Sequence, residues 1–326
     1  MLHIINGGST EQTLKQTTVP GELFCFRDAL IEGPAPAGAD AETWRRIRAE
    51  HLAGDYGVGL QECLDGLDEQ EQVLRSFPDH EEVILWFEHD LFCQLNLIYL
   101  LNWFSSVELG QTRLSLINIG EFPGRENFYG LGELDANELA SLLPQRREVT
   151  GAELKTAANA WHAFSSPDPK AIEHYLATNS SAWPFLKTAL TAHLERFPSV
   201  ANGLGRIENR CLQLVDSGAE RFTDLFSKFW QSESVYGVGD AQVWTTLSQL
   251  RDARTPLITS NTTAKHLSPE LVSETTFTIT DAGRAVLHNE ADFLSYDDID
   301  VWLGGAHLES GKQIWRWDPN TNQLIN

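Results

Sequence analysis

The sequence predicts an α/β protein: a mostly parallel, Rossmann-like sheet domain, then an α-helical connector and a winged-helix-like module. Three observations lead there. Across residues 1–150, short apolar runs of strand length alternate with stretches of helical composition, as in a parallel sheet covered by helices. Residues 151–200 read as helices throughout and hold four basic against four acidic residues, unlike the acidic stretch before them. Residues 201–290 read as three helices followed by two β-like segments, the plan of a helix-turn-helix variant with a wing.

Taken in order, residues 2–5 read as a strand and Asn6-Gly7-Gly8-Ser9-Thr10 as the turn after it. A helical stretch over 11–16 follows, which Ser9 or Thr10 can cap. Residues 22–26 form a second strand, and the breakers Gly33, Pro34, Pro36 and Gly38 make 31–39 a loop. Helical composition covers 41–53 and 60–77. The apolar run at 82–87 suits a strand buried on both faces. A helix over 91–104 and a strand over 113–119 complete the pattern. Thr150 with Glu153 three residues on is a capping-box signature, opening a helix to Phe164. Further helices run to about Phe197, where Pro198 stops them. In the third part, helices are expected over 204–215, 222–230 and 241–250, the last capped by Asp240. Strands follow over 257–260 and 275–280, joined by a polar loop, and a last helix opens at Asp281. Residues 291–326, rich in Trp and acids, are expected to pack back on a neighbour.

Length and composition fit this plan. A chain of 326 residues is long for one domain, and 42% hydrophobic residues are enough for a substantial core. The formal net charge is −22, and residues 1–150 alone hold 25 acidic against 10 basic residues. Such a field repels phosphate backbones, so sequence-independent nucleic-acid binding is not expected. Cys25, Cys63, Cys93 and Cys211 are widely spaced, which excludes a zinc ribbon. Isolated Cys on apolar segments behave as small buried hydrophobes, and a reducing, cytoplasmic setting is expected. The first residues lack the pattern of a signal peptide, and the longest apolar run, 91–104, is broken by polar residues and too short for a bilayer, so no membrane association is expected.

Five pieces in order along the chain carry a family resemblance: Leu2-His3-Ile4-Ile5-Asn6-Gly7, Arg27-Asp28-Ala29-Leu30-Ile31-Glu32-Gly33-Pro34, Leu85-Trp86-Phe87-Glu88-His89-Asp90, Pro144-Gln145-Arg146 and Trp302-Leu303-Gly304-Gly305. With them the chain resembles the bacterial domain-of-unknown-function 1835 family over nearly its whole length. The resemblance implies the same organisation and brings no activity with it.

Four sets of residues are candidates for chemistry. Gly7, Gly8, Ser9 and Thr10 follow a strand and open a helix, where free N–H groups can hold a phosphate or carboxylate; without the full dinucleotide or P-loop motif, an ordinary strand-to-helix turn is the alternative. Asp28, just after the second strand, falls on the edge where open sheets build clefts, and Glu32 precedes the rigid turn Gly33-Pro34; Asp28 could equally cap its own loop. Glu88 and His89 follow the apolar strand and could act as acid and base or hold a divalent cation such as Mg²⁺. Asp90 is a credible N-cap, with Gln94 one turn on. In a parallel sheet Asn6, Asp28 and Glu88 would share one edge. Arg146, beside Arg147, could receive an anionic ligand or satisfy nearby acids. No HExxH and no GxSxG motif occurs.

The expectation that follows is a site for a phosphorylated or nucleotide-like small molecule at the strand C-termini. Asp28, Glu88 and His89 would do the chemistry of a metal-assisted hydrolase or transferase, and Asn6, Gly7, Gly8, Ser9, Thr10, Glu32, Asp90, Gln94 and Arg146 would bind the ligand. The alternative is a non-enzymatic regulator or adaptor that uses the winged-helix-like part for protein or DNA binding, or a homo-oligomer. Against DNA, the recognition-helix candidate at 241–250 contains no Lys or Arg.

Overall fold

A computed structural model describes residues 1–178 and 183–326. The elements run β1 (Leu2–Asn6), α1 (Gly8–Leu14), β2 (Glu22–Phe26), β3 (Gly33–Pro34), α2 (Ala41–Tyr56), α3 (Leu60–Arg75), β4 (Glu82–Phe87), α4 (Leu91–Ser105), β5 (Arg113–Asn118), α5 (Ala136–Leu142) and β6 (Arg147–Glu148). Then come α6 (Gly151–Phe164), α7 (Lys170–Thr178), α8 (Leu186–Leu194), α9 (Arg206–Asp216), α10 (Phe222–Glu233), α11 (Asp240–Asp252), β7 (Ile258–Ser260), α12 (Pro269–Glu274), β8 (Phe277–Ile279) and α13 (Asp281–Leu287). Four strands end the chain: β9 (Asp300–Gly304), β10 (Ala306–Glu309), β11 (Arg316–Asp318) and β12 (Gln323–Ile325).

The central sheet has the order β2-β1-β4-β5-β6, with β2, β1, β4 and β5 parallel and β6 an antiparallel edge. Alternation along the strands divides the apolar residues between two faces. Leu2, Ile4, Val83, Leu85, Phe87, Leu114 and Leu116 enter one core together with α4 and α6. Ile5, Ile84, Trp86 and Ile117 enter a second with Leu14 of α1 and Leu139 and Leu142 of α5. Both faces are therefore covered, which is why the strands read as continuous apolar runs. Trp86 is fully buried and its indole donates to His3 Nδ1 at 3.0 Å; His3 Nε2 then carries the proton and donates to the Pro20 carbonyl.

Several local expectations shift. The first helix begins at Gly8 and its N-cap is Gly7, so Ser9 and Thr10 lie inside the first turn and do not cap it. The helix at 240–252 starts one residue early, with Gly239 before Asp240. The capping box of Thr150 and Glu153 is present, and a second one, Asp135 with Glu138, opens α5. Between β7 and β8 stands the short helix α12 where a polar loop was expected.

Beyond the sheet, α9, α10 and α11 pack together and are followed by the antiparallel pair β7–β8. The C-terminal segment returns to the first part of the chain: β9 pairs with β10 and, in parallel, with β3. The Gly304-Gly305 pair makes this contact feasible. A Cβ at Gly305 would overlap the Ser165 carbonyl, and a Cβ at Gly304 the Phe164 carbonyl. Among the described residues no helix is long and apolar enough to cross a membrane.

Candidate functional site

From β1 the chain passes through α1 to β2 on one side; it later returns to β4 on the other side of β1. The carboxyl ends of β1 and β4 thus flank a topological switch point, where open α/β sheets place their ligands. Asn6 is the last residue of β1, and Glu88 follows β4 directly. Both are buried.

The residues after β4 fold back on its end. Asp90 caps α4, its carboxylate accepting from the Cys93 N–H at 2.9 Å. This turn carries the Cys93 thiol to Glu88 Oε2, to which it donates at 2.9 Å. Asn6 Nδ2 donates to Cys93 Sγ at 2.9 Å, and Asn96 Nδ2 to Asn6 Oδ1 at 2.7 Å. Gln94, one turn into α4 with its N–H bonded to the Asp90 carbonyl, donates from its side chain to the Glu88 carbonyl at 2.6 Å and so fixes the backbone of the strand end.

Two later segments close the crevice. Glu88 Oε1 accepts from the Leu131 N–H at 2.9 Å, and the loop approaches so closely that a Cβ at Gly130 would stand 3.0 Å from that oxygen. Gly237, between α10 and α11, lies against Asp90, where a Cβ would overlap Oδ1. The rings of Tyr129 and Trp230 lie 6.4 Å apart and join the two covers.

The enclosure sets the electrostatics. Burial, and then the neighbouring Asp90 charge, push the Glu88 carboxyl up to about 7. Burial also raises Asp90, and burial with the two carboxylates raises the Cys93 thiol well above the usual range. The three groups offer ligand atoms all within 4.8 Å of one another. In a low-dielectric site they cannot all be ionised unless a cation compensates; without one they retain protons. Two carboxylate oxygens and a thiolate are a donor set for a divalent metal, and the sulfur favours zinc-like ions over Mg²⁺.

The remaining expected residues are placed as follows. His89 is half-buried between the rings of Phe128 and Phe185; its buried Nδ1 has no partner among the described residues, and it stands outside the three-ligand group. Gly7, Gly8 and Ser9 are exposed, and a side chain at Gly7 or Gly8 would meet open space. The Ser9 hydroxyl donates to the Gly132 carbonyl at 3.3 Å, and Thr10 is buried.

Three residues belong elsewhere. Asp28 shares the sheet edge, but it is 2% exposed and locked to Arg48, which is 0% exposed and donates to Asp28 Oδ1 at 2.7 Å. The same guanidinium donates to the carbonyls of Ala29, Glu32 and Pro34. Asp28 is thus the counter-charge that pins the loop after β2, with no free oxygen turned to the switch point. Glu32 accepts from the Tyr56 hydroxyl at 2.6 Å and lines a different cavity. Arg146 donates to Glu82 at the start of β4, the opposite edge of the sheet. Six residues of strand, about 20 Å, separate that edge from Glu88.

Sequence reasoning missed Cys93, which reads as a buried hydrophobe until the Asp90 cap folds it onto Glu88. The spacing Glu88-x-Asp90-x-x-Cys93 across a strand end and a first helical turn was the available signal. Gly130, Leu131 and Gly237 carry no local signal, because their role is long-range.

Cavities of about 470 and 300 Å³ lie elsewhere, and neither is lined by Glu88, Asp90 or Cys93. In α11, Gln242 donates to the Tyr56 hydroxyl at 2.6 Å and Thr245, Thr246 and Gln249 line the larger cavity, so this face is turned toward the sheet domain. Arg251 is bound to Asp252 and to the carbonyls of Thr262 and Ala264.

No family model and no curated protein matches the chain, so the family resemblance rests on its quoted motifs.

Proposed function

We propose that this chain binds a divalent metal ion through Glu88, Asp90 and Cys93 and, beside it, a phosphorylated or nucleotide-like small molecule. The observation that carries this reading is the convergence of two buried carboxyls and a thiol at the switch point, with no cationic side chain hydrogen-bonded to any of them among the described residues. Asn6 orients the sulfur from behind, the part that outer hydrogen bonds play around a metal. The anionic group of the ligand would lie at the exposed Gly7-Gly8 turn, where the absence of side chains leaves room for backbone N–H donors. A metal beside a bound phosphate polarises it, which is what a metal-assisted hydrolase or transferase requires.

A thermal-unfolding screen tests this with Zn²⁺, Mn²⁺ or Mg²⁺, alone and combined with inorganic phosphate, nucleotides or sugar phosphates. A ligand at a hundred times its Kd adds about 2.7 kcal/mol of stability. The expected result is stabilisation by Zn²⁺ above that by Mg²⁺, a further rise with a phosphorylated compound, and loss of both in Glu88→Gln. Equal stabilisation of the wild type and Glu88→Gln, or none in either, contradicts the reading.

A further inference from the structure

The cavity of about 470 Å³ opens where β3, the end of α2, α9, α11 and the segment leading into β9 meet. Its walls carry six carboxylates, those of Glu32, Asp55, Glu208, Asp297, Asp298 and Asp300. One guanidinium faces them: Arg196, whose Nη1 is bonded to the Ile31 carbonyl at 2.6 Å. Asp298 has Arg254 at 3.5 Å and Asp300 has His307 at 2.6 Å. Among the described residues, Glu32, Asp55 and Glu208 have no Lys or Arg within ion-pair distance; Asp55 has only the His51 imidazole at 3.5 Å. Burial raises the carboxyls of Glu32, Asp55 and Glu208. It also pushes His51 down to about 3, so that its ring is neutral, and the buried Nε2 has no partner among the described residues.

We propose that this cavity binds an organic polyamine. Its volume is that of a small-molecule site and far exceeds a single ion. Leu204, Ile207 and Val238 supply apolar wall for methylene groups between the charges. The carboxylates outnumber the cations among them, Glu32 and Glu208 sharing the charge of the one Arg196 guanidinium, so they supply ends for ammonium groups, and a concave wall with an excess of one sign focuses the field that draws them in. The His51 imidazole, held neutral by burial, is part of the same wall and adds no positive charge to it. A polyamine here would touch the sheet domain, the helices of the third part and the C-terminal strands at once, and its occupancy would hold them together.

The experiment is calorimetric titration and thermal unfolding of the full chain with spermidine, 1,4-diaminobutane, MgCl₂ and NaCl at matched ionic strength. Four proteins are compared: wild type, Glu208→Gln, Gln249→Trp and the exposed control Glu69→Gln on α3. The expected result is saturable binding of one spermidine, weakened roughly tenfold by Glu208→Gln, about the worth of one desolvated charge contact. Gln249→Trp, at an exposed position on the cavity wall, fills the space without altering charge and abolishes binding, so the test stands even if Glu208→Gln folds poorly. Glu69→Gln leaves binding unchanged. Absence of saturable binding, an equal effect of Mg²⁺, or equal weakening by Glu69→Gln overturns the proposal, the last because it marks general attraction to an acidic surface.

Discussion

Asp28 and Glu88 each follow a parallel strand on the same sheet edge, yet their surroundings give them opposite work. Asp28 neutralises the buried Arg48 guanidinium. Removing one partner of such a pair leaves a buried charge uncompensated, at a cost of about 3–5 kcal/mol. Asp28→Ala is expected to lower the unfolding free energy by that amount, read as a lower urea midpoint at unchanged slope, while the folded fraction keeps its metal affinity. Glu88 has no such partner among the described residues, and burial shifts its carboxyl toward the neutral form. Glu88→Gln should therefore change metal-free stability little while removing metal binding. Glu82 behaves in the third way. Burial works to raise its carboxyl, but hydrogen bonds from Arg146 and Ser115 hold it below the ordinary value. A depressed carboxyl stabilises the fold above its unfolded value near 4.5, and that contribution is lost as pH falls through the folded value. Glu82→Gln is expected to cost about 2 kcal/mol at pH 7 and to narrow the difference between the pH 7 and pH 3 urea midpoints. An unchanged difference contradicts the role given to Arg146.

At the scale of elements, the alternation of strands and helices in the first half was legible because both faces of the sheet are covered and each strand is apolar throughout. The strand ends were legible for the same reason: Asn6, Asp28 and Glu88 were expected along one edge, and the parallel strands β1, β2 and β4 end there, with Asp28 paired to Arg48. The partners of those residues were not. Arg48 lies on a helix whose composition does not distinguish it from Arg45 or Arg46, and only packing shows that it points inward. The covers of the switch point come from residues 130–131 and 237, and the contacts that bring them there span tens to more than a hundred residues. Gly237 sits at φ +64 against Asp90. A side chain there costs about 1–2 kcal/mol in backbone conformation alone, before the overlap with the carboxylate. Gly237→Ala is expected to lower the thermal midpoint and to weaken metal binding together, whereas Gly218→Ala, at φ +90 with open space around it, lowers stability alone.

For the whole molecule, the C-terminal strands and α11 return to the sheet domain, through β3–β9 pairing and the Gln242–Tyr56 bond. The acidic excess that argued against nucleic acid in the sequence is concentrated in the structure as two sets of carboxylates short of cations, one at the switch point and one in the cavity beside α11. The most direct measurement of the switch-point account is anomalous diffraction at the zinc edge from crystals soaked in Zn²⁺, for the wild type and for Cys93→Ser. The expected result is one strong peak between Glu88, Asp90 and Cys93 in the wild type, weakened or absent in the variant. A wild-type map with no peak there, while Glu88 still bonds to Cys93 and Leu131, contradicts it.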